Sequence, residues 1–345
     1  MKSYFPLLDI LRFFAAFWVM SFHYFLGYSG DLSWYRYGNL GVPLFFIISG
    51  FVISQSVANA STKAFALGRF IRLFPLFWIL CTFTYILTLV VPGANPVQFP
   101  EYLISMTMLG ENLGNLFGYV RLVDAAYWSL VIELIFYVAI GLFVYLFSWK
   151  HVRWFTALWL ITSITAYFLN VENTFIAKTL LVRHASYFLF GMTLMLVMTT
   201  AYSSLRLKLY DYGFLILVAL YGSLISYRAL PPYLTPHPLD TEIVTALQVV
   251  FFVSVALLVY VSRFITSQRF LQWAIIIGGL TYPLYLLHQT IGNTIIKYVT
   301  DAYNIPWVQG AIAMQGVMIG AAYIAYVYDK KLRKKLTAVL LPSKH

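Results

Sequence analysis

The sequence predicts an all-α integral membrane protein of about ten transmembrane helices, with both termini in the cytoplasm, and three observations carry this prediction. Apolar residues make up 61% of the 345-residue chain and charged residues only 10%, whereas roughly 25% of an average soluble domain is charged. Ten apolar stretches are long enough, or nearly so, to cross roughly 30 Å of hydrocarbon as helices. Positive charge is divided unevenly between the two sides of these stretches.

The apolar stretches set the predicted element order. They lie near residues 5–28, 38–58, 70–92, 125–148, 152–170, 179–199, 211–228, 242–262, 273–297 and 306–328. The segment 98–110 is too short to span a bilayer, which predicts an interfacial or re-entrant piece. We predict a single membrane domain over residues 1–345, in which 329–345 form a short basic cytoplasmic tail.

Loop charge predicts the orientation. With both termini inside, 16 of the 23 lysine and arginine residues lie in inner loops and the tail, 6 lie in outer loops, and Arg12 lies within a span. This asymmetry follows the positive-inside rule. The net charge of +11 therefore indicates topology and contact with anionic membrane lipids, and no nucleic-acid partner is expected. The single cysteine, Cys81, excludes a disulfide framework and a Cys-based metal site.

The first predicted helix contains three ionisable residues, which are expensive in a membrane and therefore indicate function. Arg12 and His23 are eleven apart, about 20° from a whole number of turns, so they share a face, and Asp9 lies about 40° from His23. The rise of about 16 Å puts Arg12 near the cytoplasmic end and His23 in the outer half. The alternatives are a snorkelling anchor for Arg12 and a helix-packing hydrogen bond for His23.

The third predicted helix begins with two arginines at its cytoplasmic entrance. Arg69 and Arg72 are three apart and share a face. The planar fork of a guanidinium group matches phosphate oxygens bidentately. The spacing alone leaves open whether the pair binds a phosphorylated substrate or anchors the helix to lipid phosphate, and Pro75 permits a kink nearby.

The fourth predicted helix contains one acid, Glu133, flanked on the same face by Ser129 and Tyr137. A carboxylate at that depth needs a cationic or hydrogen-bonding partner. Its estimated depth matches that of His23. A glutamate that orients and charges an imidazole makes histidine a general base, so the two residues form a candidate pair.

The ninth predicted helix contains a second membrane histidine. His288 lies toward the outer half of the span, and Tyr285 precedes it by three residues on the same face. A role in the site and simple structural packing are both consistent with this pattern.

Six motifs follow one another along residues 5–328. They are Arg12-x10-His23, Gly41-Val-Pro-Leu-Phe-Phe-Ile-Ile-Ser-Gly50-Phe51, Arg69-x-x-Arg72-Leu-Phe-Pro75, Trp128-Ser-Leu-x-x-Glu133, Tyr187-Phe-Leu-Phe-Gly191 and Tyr282-x-x-Tyr285-Leu-Leu-His288. In this order and with these spacings, the sequence resembles the acyltransferase-3 family of membrane O-acyltransferases. Some members carry a C-terminal SGNH hydrolase-like domain. We expect this chain to lack one, which leaves open whether it transfers directly or relies on a separate partner.

The resemblance implies that an acyl group, commonly acetyl, passes from cytoplasmic acyl-CoA to a hydroxyl of an extracytoplasmic glycan or lipid-linked sugar. O-antigen, exopolysaccharide and other cell-envelope sugars are candidate acceptors. The resemblance implies that His23 is the catalytic residue, supported by Arg12, Arg69, Arg72 and Glu133. We expect catalytic roles for His23, Glu133 and Arg12 and acyl-CoA binding by Arg69, Arg72 and Arg12. We expect substrate or supporting roles for Asp9, Ser129, Tyr285 and His288. No metal is expected, because a thioester is already activated.

The expected location is the bacterial cytoplasmic (inner) membrane, and the sequence leaves the oligomeric state, a homo-oligomer included, open. Two other classes of protein remain. One is a proton-coupled transporter that uses His23, Glu133 and His288 as a relay. The other is a membrane scaffold whose polar residues only hold helices together.

Overall fold

The computed structural model describes residues 4–26, 32–109, 121–226 and 239–341, and within these ranges the chain forms helices and no strand. The α-helices are α1 (Pro6–Phe25), α2 (Gly41–Ala58), α3 (Thr62–Val90), α4 (Phe99–Met106), α5 (Trp128–Phe147), α6 (Val152–Phe168), α7 (Phe175–Thr179), α8 (Ala185–Thr199), α9 (Leu205–Ile225), α10 (Thr241–Ser262), α11 (Gln268–Leu287), α12 (Thr290–Tyr303) and α13 (Trp307–Leu340). Short 3₁₀ helices precede α2, α5 and α6.

Eight helical segments in the described ranges are long and apolar enough to cross a membrane. They include α1, α2, α3, α5, α9, α10, α11 and α13. The other two predicted spans correspond to α6, with 17 residues, and α8, with 15 residues. The chain is thus an all-α integral membrane protein, which confirms the predicted fold class. The predicted short segment 98–110 contains α4, whose eight residues rise only about 12 Å.

Two predicted spans differ in their internal structure. The stretch 179–199 is helical only from Ala185, because a turn at 180–184 with Leu181 at φ +53° separates it from α7. The stretch 273–297 is interrupted between α11 and α12. Pro283 lies inside α11, one turn before its end, and removes a backbone donor there. His288 therefore lies at a helix end and not inside a continuous helix.

The predicted basic tail is helical for most of its length. Helix α13 continues to Leu340, and residues 342–345 lie outside the described part of the chain. Residues 329–340 contain lysine, leucine, arginine and alanine and no glycine or proline, a composition with high helix propensity. The charged groups of this segment are consequently held at fixed positions along a helix.

The described chain divides into two compact units. Unit 1 consists of Met1–Arg12, Leu40–Phe65 and Ile135–Ala274. Within it, α2 and α8 pack at close range, because Gly50 lies against the backbone of Phe188 and Gly191 lies against the backbone of Ile47. A Cβ on either glycine would overlap those backbone atoms.

Unit 1 also contains a buried ion pair between α6 and α9. Arg153 donates to both carboxylate oxygens of Asp211, each at 2.8 Å, and the Tyr202 hydroxyl donates to the same carboxylate at 3.0 Å. Asp211 is 1% exposed, so this carboxylate has the paired environment that a buried charge needs.

Unit 2 consists of Phe13–Asn39, Ala66–Leu134 and Ile275–His345. Here the C-terminal end of α1 is held by the last two helices. The Trp307 indole nitrogen donates to the Tyr24 carbonyl at 2.7 Å, and Gly292 of α12 lies against the Tyr24 ring, where a Cβ would not fit. These contacts position His23, which directly precedes Tyr24, beside the start of α12.

Candidate active site

Two imidazole rings meet in unit 2. The ring centroids of His23 and His288 are 5.1 Å apart, with an angle of 47° between the ring planes. His23 is half-buried near the end of α1, and His288, directly after α11, is 1% exposed. The structure thus brings together the two membrane histidines that the sequence identified separately.

Hydrogen bonding defines the tautomer of His288. Its Nδ1 atom lies 2.8 Å from the Tyr285 carbonyl oxygen, and a carbonyl only accepts, so Nδ1 carries the proton in the neutral ring. Nε2 is then the basic nitrogen. This atom is buried and has no hydrogen-bond partner among the residues that the structure describes. Buried polar atoms are almost always paired, so an unpaired basic nitrogen beside His23 indicates a functional position.

Ser129 and Tyr285 form the hydrogen-bond support of this site. Their hydroxyl oxygens are 2.6 Å apart, and the Tyr285 hydroxyl donates to the Ala126 carbonyl at 3.0 Å. The Ser129 hydroxyl lies 3.4 Å from the same carbonyl oxygen, so the two hydroxyls and the Ala126 carbonyl form one cluster in which either hydroxyl can donate to the other. Both side chains are buried. This pair fixes the last turn of α11, and with it His288, against the start of α5.

Asp124 is a supporting residue that the sequence reasoning missed. One carboxylate oxygen accepts from the Ala126 amide at 2.8 Å, and the other accepts from the Thr290 amide at 2.8 Å. Burial raises the pKa of Asp124 to about 6, although the hydrogen bonds from Thr290 and Ala126 act in the opposite direction. The signal was present, because aspartate just before a helix is a typical N-cap. Asp124 also accepts from the first amide of α12, and this second contact can be seen only in the folded structure.

Glu133 lies on α5, one turn beyond Ser129, and is half-buried. Its predicted pairing with His23 stays a prediction. The titratable ring that lies beside His23 belongs to His288. Glu133 stays a candidate for stabilising the His23 imidazolium, and the His288 ring is a second group beside His23.

Asp9 and Arg12 form an ion pair in unit 1. An Arg12 Nη atom lies 3.6 Å from an Asp9 carboxylate oxygen, and the side chains are 12% and 24% exposed. The Tyr4 hydroxyl donates to the other Asp9 oxygen at 2.8 Å. Pairing within one helix reduces the cost of placing either charge in a membrane.

Arg69 and Arg72 lie on the first half of α3, and both are half-buried. Arg72 interacts electrostatically with Asp329 and Arg333 of α13. Sequence reasoning assigned these two residues only to a basic tail. Their four-residue spacing is typical of a helical ion pair, but a helix in that segment was not predicted.

Two amides at the start of α12, one on its N-cap residue and one in its first turn, add unpaired polar atoms near the histidines. Oε1 of Gln289 and Oδ1 of Asn293 are buried, and neither has a hydrogen-bond partner within the described ranges. The two residues are four apart and so lie on one helix face, and Gln289 is also one turn before Gly292, which lies against Tyr24. Carboxamides offer both donors and acceptors, which suits a ligand rich in hydroxyl groups.

Comparison with known proteins places most of the chain in one family. The family model described as Acyltransferase domain matches residues 5–326. Nodulation protein 10 of Rhizobium leguminosarum bv. viciae is 27% identical over 180 residues, which cover 46% of this chain and 48% of that protein. The alignment thus spans about half the length of that relative. No solved structure matches the chain.

Proposed function

The chain belongs to the acyltransferase-3 family of membrane acyltransferases, and from this premise we propose that it is an O-acyltransferase of cell-envelope glycans. It transfers an acyl group, acetyl in the first instance, from cytoplasmic acyl-CoA to a hydroxyl of an extracytoplasmic glycan or lipid-linked sugar. The membrane is the bacterial inner membrane. The observation that carries the proposal is the His23–His288 pair, in which a half-buried imidazole lies beside a buried one with an unpaired basic nitrogen.

The donor approaches from the cytoplasmic side, where Arg69 and Arg72 bind its phosphates. Arg12, in unit 1, stays a predicted donor-binding residue. In unit 2, α11 gives a measure of the path. The Tyr282 hydroxyl donates to the Leu73 carbonyl, directly after Arg72, and the six residues from Tyr282 to His288 rise about 9 Å. This lies within the reach of a pantetheine arm on the order of 15–20 Å. The thioester can thus reach the histidines while the phosphates stay at the arginines.

The chemical step is an exchange of a thioester for an oxygen ester. His23 takes the proton of the acceptor hydroxyl while the hydroxyl oxygen forms a bond to the acyl carbon. The carbon–sulfur bond breaks, and the CoA thiolate receives the proton, so that the products are the ester and free CoA. The adjacent His288 Nε2 can share the proton in transit. In the alternative course, His23 carries the acyl group before the acceptor takes it.

The amides of α12 support a polyhydroxyl acceptor. The buried oxygens of Gln289 and Asn293 can accept hydrogen bonds from neighbouring sugar hydroxyls, and the amide nitrogens can donate in return. Gln289 directly follows His288 and lies one turn before Gly292, which contacts Tyr24, the residue after His23. A glycan is therefore favoured over a simple alcohol.

The test replaces His23 and measures transfer of labelled acetyl from acetyl-CoA to unacylated envelope polysaccharide taken from cells that lack the gene. We expect His23→Ala to lower the rate by a factor of about 10²–10⁴, as for loss of a general base. His151→Ala is the control, because His151 is an exposed histidine of an inner loop. Full activity in folded His23→Ala protein would contradict the assignment.

The acyl size and acceptor follow from a separate measurement. Mass spectrometry of surface glycans from cells with and without the gene should show one acyl group whose loss accompanies the deletion. Proton-coupled solute uptake by liposomes in the absence of acyl-CoA, with unchanged glycans in the deletion strain, would instead favour a transporter.

A further inference from the structure

A buried carboxylate lies among the positive charges of α13. Asp329 is 3% exposed, and one of its oxygens lies 2.6 Å from an Arg333 Nη atom, one helical turn away. By contrast, the neighbouring side chains Lys330, Lys331, Lys334 and Lys335 are exposed. Arg333 is thus distinguished from the surrounding lysines, because a buried acid holds its guanidinium group in place.

Helix α11 brings this ion pair to Arg72. At one point on α11, Gly279 lies against the ring of Tyr326, which precedes Asp329 by three residues. Three residues further along α11, the Tyr282 hydroxyl donates to the Leu73 carbonyl at 2.9 Å, and Leu73 directly follows Arg72. One turn of α11 therefore contacts both α13 near Asp329 and α3 near Arg72. Electrostatic interactions of Arg72 with Asp329 and Arg333 agree with this geometry.

The cluster lies at the cytoplasmic boundary of the predicted topology. From Val90, the outer end of α3, to Arg72 is about 27 Å of helix, and from Trp307 to Asp329 of α13 is about 33 Å. The hydrocarbon core is about 30 Å thick. Two helices that run in opposite directions thus place their charged residues within about 3 Å of the predicted boundary on either side.

The local charge is positive and incompletely paired. Arg72 and Arg333 carry two positive charges against the one negative charge of Asp329, and Arg69 lies on the same face of α3 as Arg72. Arg333 Nε and the second Asp329 oxygen are buried and have no hydrogen-bond partner among the described residues. A buried ion pair by itself contributes little to stability, so stabilising α13 is a weak reason for placing one here.

We propose that Arg333, positioned by Asp329, forms with Arg72 a phosphate-binding site for the phosphorylated end of acyl-CoA. The inference rests on the proposed function and extends its donor site from α3 to α13. Guanidinium groups from two helices grip a phosphate from two directions, and Asp329 sets the direction of the second group. From this turn of α11, which runs from Gly279 to Tyr282, His288 is about 9–14 Å away along the helix axis.

The experiment measures equilibrium binding of CoA to the purified full-length protein in a neutral detergent. We expect Arg333→Gln to weaken binding about tenfold or more, as for loss of a charge-assisted contact. Lys334→Gln, the matched control on the same helix, should stay within about twofold of the parent protein. Arg333→Lys keeps the charge without the fork and should give an intermediate affinity.

The Asp329→Asn variant tests whether Asp329 positions the Arg333 guanidinium group or only repels a bound anion. Removing a negative charge should tighten binding of an anion if Asp329 only competes with it, whereas loss of the arginine's support should weaken binding. We expect weaker binding. Size-exclusion chromatography and thermal unfolding of each variant establish that the protein is folded.

Three results would overturn the proposal. One is unchanged CoA affinity in folded Arg333→Gln, and another is tighter binding by Asp329→Asn. The third is an effect of Arg333→Gln confined to binding of phosphatidylglycerol vesicles, which would assign the site to lipid phosphate.

Failure of the parent protein and of His23→Ala alike to bind CoA would reject the proposed function itself. CoA binding by both, with no effect at Arg333, rejects only the inference.

Discussion

At the scale of single residues, the two nitrogens of His288 have different environments. Nδ1 donates to the Tyr285 carbonyl, and Tyr285 is itself held by Ser129 and Ala126. The ring orientation is therefore fixed from one side, and Nε2 remains without a partner in the described part of the chain. A fixed ring with a free basic nitrogen is suited to sharing a proton with the neighbouring ring of His23.

The role of His288 can be separated from packing by kinetics. We expect His288→Ala to lower kcat of acetyl transfer by a factor of about 10² or more, with the affinity for CoA unchanged, because the phosphates bind elsewhere. Steady-state rates and equilibrium binding measure the two quantities, and His151→Ala is again the control. A weakened CoA affinity with normal kcat would show that His288 acts only through the donor site.

Sequence reasoning identified His23 and His288 as separate candidates and did not predict that their rings meet, whereas its pairing of His23 with Glu133 stays a prediction. Helix phase and length predict how deep a residue lies in the membrane, and the predicted depths of His23 and Glu133 agree. Phase and length do not predict which neighbouring helix a given face contacts. That depends on the ending of α11 at Leu287 and on the Ser129–Tyr285 bond between two helices. Asp124 was missed because one of its two amide donors comes from Thr290, 166 residues away in sequence.

At the scale of elements, the contact of α2 with α8 explains two glycines in the sequence motifs. Gly191 lies against the Ile47 carbonyl oxygen, and Gly50 lies against the Phe188 carbonyl oxygen. Small residues let membrane helices approach closely, so that packing replaces the hydrophobic effect, which is absent in lipid. Both positions need glycine, because a larger side chain would force α2 and α8 apart.

Substitution of Gly191 tests this contact. We expect Gly191→Ala to destabilise the protein by about 1–3 kcal/mol, because the added methyl group overlaps backbone that cannot move aside as a side chain can. Thermal unfolding in detergent measures the change. Gly213→Ala in α9 is the matched control. Among the described residues, no atom outside the adjoining backbone of α9 lies within 4 Å of its would-be Cβ, so alanine there should be neutral or slightly stabilising. Equal effects at both positions would contradict the packing argument.

Apolar length predicted the helices well and their interruptions poorly. Each of the ten stretches contains a helix, because hydrophobic length is what a bilayer selects. The ends at Leu287 and Ala185 were not predicted, since they depend on capping and turns. The helical course of 329–340 was missed for a different reason, because a charged segment was assigned by charge and not by helix propensity.

At the scale of the whole molecule, orientation in the membrane stays a prediction that one labelling experiment can test. Cys81 is fully buried, so single cysteines introduced elsewhere report without interference. We expect a membrane-impermeant maleimide to label Tyr303→Cys in intact cells, and Lys331→Cys only after the cytoplasmic side is opened. Both positions are exposed. The reverse pattern would place the termini outside and would move the proposed donor site to the wrong side.

The division into two units could not be predicted from the sequence. Each unit is assembled from three separate segments, and no change in composition marks their boundaries. The distribution of candidate residues between the units is informative, however. His23, His288, Ser129, Tyr285, Glu133, Arg69 and Arg72 belong to unit 2, whereas Asp9 and Arg12 belong to unit 1. Most of the candidate site is thus carried by one compact unit.

The exposed lysines at the end of α13 have a consequence for the rate at which the proposed donor arrives. A CoA molecule is polyanionic, and four exposed ammonium groups surround the half-buried guanidinium group of Arg333. Such a field accelerates diffusional encounter without strengthening the final contact. We expect capture of CoA to slow as ionic strength rises, while its release changes little, because a Debye length of about 8 Å at physiological salt screens the lysines more than the paired site.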